Sequence, residues 1–235
     1  MTSAADSLEL APLRQLTVVR KSAPVSTSFE NKYSPEGRVQ TLRTRAVDLE
    51  LSDVPATWRS TELVHLAPIA CEIPSDLAHA FSHSFVGVTP QGSMRIWDST
   101  GRVTLQSWEA VHDLLHVAAA VVLSIEDLGM DQSAALAMAA HCKTLVVTEG
   151  AQGATLYERG RVRPVPAPAA REVDPTGAGD VFAAVFFIRL HETGDPWESA
   201  VLANQIAAGS VSRAGLAGSP TPSDAWAAFQ AIGIG

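Results

Sequence analysis

Four short, almost wholly apolar runs constrain this chain more than any other feature: Leu63–Leu66, Phe85–Val88, Ala119–Leu123 and Leu145–Val147. Strands that alternate apolar with polar residues leave one face to water, whereas runs that do not alternate must be covered on both faces. Helix-like stretches at Ser75–Phe81, Ser107–Leu115 and Gln132–His141 separate the runs and can supply that cover. Strand and helix in alternation imply an α/β fold, a mainly parallel sheet flanked by helices on both faces. A short antiparallel pair is expected at Ala154–Tyr157 and Arg161–Val165, followed by helices at Gly177–His191, Pro196–Ser212 and Pro222–Ala231. Thr193-Gly194-Asp195-Pro196 ends one helix and starts the next, with proline in the first turn, where its missing N–H costs nothing.

The first quarter of the chain has a different character. Residues 1–14 are polar and rich in Ala and Ser, as in a frayed lead-in or a short helix. From Leu16 to Arg45 the β-branched and alternating residues of Val18-Val19, Val25–Tyr33 and Val39–Leu42 predict extended chain. Ser34-Pro35-Glu36-Gly37 has the composition of a hairpin turn. No repeat or long linker divides the sequence, so the expectation is a single domain over 1–235 with a small β excursion near 16–45. The 25 acidic residues outnumber 17 basic ones, giving a net charge of −8 that argues against a nucleic-acid surface. The longest apolar runs, Val117–Leu123 and Val181–Ile188, fall far short of the roughly 20 residues that span a bilayer. No secretory leader opens the chain, and Cys71 and Cys142 form no ligand motif, so a soluble cytoplasmic protein is expected.

Chemistry concentrates in Asp174-Pro175-Thr176-Gly177-Ala178-Gly179-Asp180-Val181-Phe182. A Gly-Ala-Gly run opening an apolar helix leaves backbone N–H groups free at the positive end of the helix dipole, a setting that binds anions. Asp180 beside such a cradle opposes an anion unless it has a second task. Removing a proton from a hydroxyl that attacks a phosphoryl group is such a task. There is no GxxxxGK[ST] loop, and Gly177-x-Gly179 lacks the third glycine of a dinucleotide fingerprint. Taken alone, the short GxGD run is better read as a tight loop and helix cap.

The longer string closely resembles the C-terminal signature of the PfkB, or ribokinase-like, family of carbohydrate kinases. Thr148-Glu149-Gly150-Ala151-Gln152-Gly153 is similar to that family's T-x-G-x-x-G turn along the nucleotide, and Ala203-Asn204-Gln205-Ile206-Ala207-Ala208 resembles its helix beside the adenine. The resemblance implies an ATP- and magnesium-dependent kinase acting on a hydroxyl of a small-molecule sugar or polyol. In that reading Asp180 is the general base, and Gly177, Ala178 and Gly179 form the anion hole. Thr148, Gly150, Gly153 and Asn204 line the nucleotide. The family often holds a monovalent cation such as K+ beside the anion hole, and Asp174, Thr176, Gly215 and Ser219 fall at similar spacings. Its N-x-x-E element, which organises magnesium, corresponds to Ser124-Ile125-Glu126-Asp127, leaving Asp127 as a shorter carboxylate. Residues 27–33 fall where the family places a β lid over the sugar, and Asn31 is a candidate there for hydrogen bonding a polyol. Gln91-Gly92, Arg95 and Asp98 resemble a stretch of the inositol-kinase-like branch, or else form a polar turn. An inositol or nucleoside kinase, or a catalytically idle nucleotide-binding regulator, remains open beside the sugar kinase. An exposed sheet edge would make a homodimer possible.

Members of the family commonly carry a further N-terminal portion with a Gly-Gly loop that closes on the sugar. No Gly-Gly pair occurs in these 235 residues. The expectation is a chain that keeps the phosphate-transfer half and lacks part of the acceptor-binding half. His112 and His116 share one helix face at the spacing of zinc proteases, but without the adjacent glutamate or a third ligand in sequence they suggest a solvated surface. His79 and His83 read the same way.

Overall fold

Burial of the inner strands on both faces sets the architecture. The computed structural model describes residues 1–34 and 37–233, so the centre of the expected turn, Pro35-Glu36, lies outside the described residues. The chain opens with two short strands paired in parallel, β1 (Thr2–Ala4) and β2 (Arg20–Ser22), and an antiparallel hairpin, β3 (Ser28–Ser34) and β4 (Gly37–Thr44). β5 (Leu63–Leu66), α1 (Ser75–His79), β6 (Phe85–Val88) and a small hairpin of β7 (Arg95–Trp97) and β8 (Val103–Leu105) come next. They are followed by α2 (His112–Val117), β9 (Ala120–Ser124), α3 (Gln132–Ala139) and β10 (Thr144–Thr148). β11 (Ala154–Glu158), β12 (Arg161–Val165), α4 (Ala178–Thr193), α5 (Pro196–Ser210) and α6 (Pro222–Ala231) complete the order.

The central sheet has the order β12-β11-β10-β9-β6-β5. β5, β6, β9 and β10 are parallel, and β11 is antiparallel to both of its neighbours, so β12 runs the same way as β10. Val121, Leu123, Leu145 and Val147 face a core shared with Leu77, Leu114, Leu115, Ala135 and Met138 of α1, α2 and α3. Ala120, Val122, Val146 and Leu156 face a second core shared with Phe182, Phe186 and Phe187 of α4 and Ala200 and Ala203 of α5. This two-sided cover is why the strands show no polar alternation.

α4 runs against the parallel strands. Near its C-terminus the His191 ring lies 5.6 Å from that of Phe85, the first residue of β6, so its N-terminus opens at the carboxyl edge of the sheet. Gly87 lets the helix close on the sheet, because a Cβ there would lie 2.5 Å from the ring of the fully buried Phe187.

The structure departs from the sequence expectation at its shortest elements. Thr2–Ala4 is a strand rather than a frayed or helical lead-in, held by the pairing of β1 with β2 and by Thr2 N–H donating to Val19 carbonyl (3.0 Å). Within the expected excursion the first strand is Arg20–Ser22, just after Val18-Val19. Ser107–Leu115 begins as a 3-10 turn at Trp108–Val111 before α2. β7 and β8 bring the excursion down onto the body: Arg95 donates to Ile69 carbonyl (3.0 Å) and stacks 5.2 Å from the Phe29 ring of β3, and Leu42 N–H donates to Gly101 carbonyl (2.8 Å). Among the described residues no helix is long and apolar enough to cross a membrane.

Gly87→Ala should therefore destabilise the protein by about 1–3 kcal/mol, the usual cost of overpacking a closed core. Urea unfolding reads this as a lower midpoint with an unchanged slope.

Candidate active site

Position follows from topology. The carboxyl ends of β9, β10 and β12 lie along one edge of the sheet, and the N-terminus of α4 opens at that edge. In α/β sheets this edge is where loops converge on ligands.

α4 starts at a glycine for a physical reason. Gly177 caps the helix with φ 83°, in the left-handed region that side chains disfavour. Ala178 N–H turns back to Pro175 carbonyl (3.1 Å), while the N–H groups of Gly177, Gly179 and Asp180 have no hydrogen-bond partner among the described residues. Those donors stand at the positive end of a 16-residue helix. Asp180 lies in the same first turn; its residue surface is open, but neighbouring protein desolvates the carboxyl and pushes its pKa above the usual aspartate value. A carboxylate so raised holds a proton more readily than an ordinary surface aspartate, as a general base requires.

Asp174 fixes the loop before the helix. Its carboxylate accepts from Gly215 N–H (2.8 Å) and Thr176 N–H (3.0 Å), and those amides hold it below the usual aspartate range. Its own N–H donates to Val211 carbonyl (3.0 Å) just beyond α5. Asp174, Thr176 and Gly215 are thus brought together. Ser219 sits past the far end of the 3-10 turn Gly215–Gly218, its N–H donating to Leu216 carbonyl.

Thr148 ends β10, its hydroxyl 3.4 Å from Leu123 carbonyl. Gly150 (φ 58°) and Gly153 (φ 101°) carry the chain through the turn into β11, and Glu149 N–H donates to Gly153 carbonyl (2.7 Å). Gly153 also permits close approach, since a Cβ there would meet Val165 oxygen at 2.2 Å. Asn204 is buried in α5 and donates to that same Val165 carbonyl (2.8 Å). Its amide therefore clamps the end of β12 against α5, an internal position rather than an open one.

Asp127 is buried after β9, accepting from Ser124 N–H (3.0 Å) and from Gln91 Nε2 (2.7 Å). It lines an open pocket of about 280 Å³ with Glu126, Arg95, Gln40 and Val103–Leu105. Asn31 is exposed on β3 and accepts from Gln40 Nε2 (3.0 Å), which joins it to the pocket wall through Gln40. Gln40 carries no motif, and only the register that pairs it with Asn31 could have pointed to it. The pairing of Gln91 with Asp127 spans 36 positions and has no local signal.

The model of the pfkB family carbohydrate kinases matches residues 106–224. A fructokinase of Escherichia coli is 32% identical over 161 residues, which is 62% of this chain and 51% of the fructokinase. An inositol 3-kinase of Oryza sativa subsp. japonica is 42% identical over 73 residues, 31% of this chain and 18% of that protein. The chain thus spans about half the length of the first of these relatives and less of the second. A pyrophosphate-dependent kinase in the ribokinase family superimposes with a TM-score of 0.80 at 19% identity, over 96% of this chain and 84% of that one, which shows a shared fold. With the family model extending from just before α2 to the start of α6 and taking in the glycine turn of α4, the chain belongs to the pfkB family of carbohydrate kinases.

Proposed function

We propose that this chain transfers the terminal phosphoryl group of ATP to a hydroxyl of a sugar or polyol. The observation that carries the reading is the first turn of α4, where unpartnered amides and a desolvated carboxylate meet at the carboxyl edge of the sheet. The Gly177, Gly179 and Asp180 N–H groups would receive the charge that develops on the phosphoryl oxygens, and Ala178 keeps the turn folded through Pro175. Asp180 would take the proton of the attacking hydroxyl. The turn from Thr148 to Gly153 would support the nucleotide, with Asn204 as a positioning residue acting through Val165. Hard oxygen donors suit Mg2+, and Glu126 and Asp127 present two carboxylates at one pocket wall. Magnesium would neutralise phosphate charge there. A cation such as K+ would belong to the junction of Asp174, Thr176 and Gly215, with Ser219 beyond it.

In this reading residues 1–235 form a single domain, the hairpin β3–β4 is a lid, and Asn31 with Gln40 faces the acceptor. Likeness to an inositol 3-kinase over 73 residues supports a polyol acceptor. Likeness in fold to a pyrophosphate-dependent kinase makes pyrophosphate the donor to test beside ATP.

The test is an acceptor screen of sugars, inositols and nucleosides with Mg2+ and either donor, run with and without K+. Turnover is expected with at least one sugar or polyol, and Asp180→Asn should lower kcat about a hundredfold to ten-thousandfold, the usual contribution of a general base. Donor binding, read as a thermal shift, should survive in that variant. A wild type that binds ATP but transfers to no acceptor would establish a regulator instead.

Asp180 also has a stability signature. Its raised folded pKa means that the native state holds the proton more tightly than the unfolded chain, so stability falls as pH rises through the interval above 3.8. The penalty is absent below that interval and complete above the raised value. Asp180→Asn should therefore melt higher than wild type at pH 7 and at the same temperature near pH 3, as measured by calorimetry.

A further inference from the structure

A second cluster of chemical groups lies outside the carboxyl-edge site. His112 and His116 stand at i and i+4 at the two ends of α2, and their Nε2 atoms are 3.0 Å apart. His141, two residues beyond the end of α3, completes a triangle: one ligand nitrogen from each ring lies within 4.8 Å of the others. The His141 ring is 5.1 Å from that of His112 and 6.2 Å from that of His116. Two residues of the cluster are exposed and His112 is half-buried, so an ion could enter from solvent without disturbing the core.

The geometry points to a surface site for a borderline divalent transition-metal ion, Zn2+ above all, held by His112, His116 and His141. Two imidazole nitrogens bound to one tetrahedral zinc at ordinary bond lengths stand about 3.3 Å apart, close to the separation that α2 already imposes. A His141 nitrogen already lies within 4.8 Å of the other two and would supply the third bond, with a fourth position open to water. The Asp113 carboxylate lies 3.8 Å from His112 Nδ1, beyond hydrogen-bond distance, and adds negative charge beside the cluster. Cys142 is no competitor: the residue packs against the core. Imidazole donors select zinc, copper, nickel or cobalt over magnesium, so the site would not draw on the ion that accompanies a nucleotide. Joining α2 to the end of α3, the ion would staple two helices on one face of the sheet and stabilise only the folded chain.

The experiment is a titration of the nucleotide-free full chain with Zn2+, followed by calorimetry and by the fluorescence of Trp108, whose ring lies 5.1 Å from His141. Saturable 1:1 uptake and a raised melting temperature are expected, with affinity at least tenfold weaker in His141→Ala and in His116→Ala. His79→Ala, from the other exposed histidine pair, should bind like the wild type, as should Asp180→Asn, which separates this site from the kinase reading. Both histidines to be replaced are exposed, and unchanged unfolding of the metal-free variants would confirm that folding is intact. Absence of saturable uptake by the wild type, undiminished affinity in His141→Ala, or displacement of Zn2+ by millimolar Mg2+ would each overturn the proposal.

Discussion

The packing of three phenylalanines of α4 on the second face of the sheet holds the candidate site in place. Phe182, Phe186 and Phe187 are buried to within 2% of full coverage among Val122, Val146 and Leu156. Each such side chain contributes on the order of 2–3 kcal/mol of transfer free energy, and together they fix the pitch and the end of the helix. A helix seated this firmly cannot slide, so the amides of its first turn stay at a fixed distance from the strands. The preorganisation that electrostatic catalysis would require is thus a by-product of core packing that begins two residues beyond Asp180.

The same dependence runs through the carbonyl of Val165. Asn204 binds it from α5, and Gly153 approaches it from the turn after β10. Two segments that motif reading assigns to a nucleotide therefore meet inside the protein on one backbone atom. Asn204 has a structural reason to be asparagine, and Gly153 a steric reason to be glycine, whatever they do toward a ligand. A motif of this kind records both the ligand's shape and the packing that keeps the ligand's surroundings in register.

The four parallel strands, the pair that follows them and the three C-terminal helices were all legible in the sequence, because burial on two faces and helix punctuation leave strong local marks. Leu63–Leu66, Phe85–Val88 and Pro222–Ala231 fall where the pattern puts them. What stayed hidden depends on partners far away in the chain. β1 exists only through its pairing with β2, β7 and β8 are three residues each, and Asp127 meets Gln91 across the sheet edge. The candidate site could be read where it is one continuous peptide, from Asp174 to Asp180. Arg95 and Glu126 stand in stretches that the sequence singles out, but their meeting with Gln40 in one pocket wall was not legible, because it joins three separate segments. His141 is the same lesson in reverse: His112 and His116 have no third histidine near them in sequence, and the fold brings one beside them from just beyond α3.

Arg95 has a consequence for how the excursion at the N-terminus behaves. One guanidinium stacks on Phe29 of the hairpin, donates to Ile69 of the body and borders the open pocket. A ligand that enters the pocket and draws on this cation would change its hold on the hairpin, and displacement of the hairpin would change the cation's setting. Linkage makes the two effects equal in free energy. Pocket and hairpin would thus be coupled through Arg95 and also through Gln40, which lines the pocket from β4.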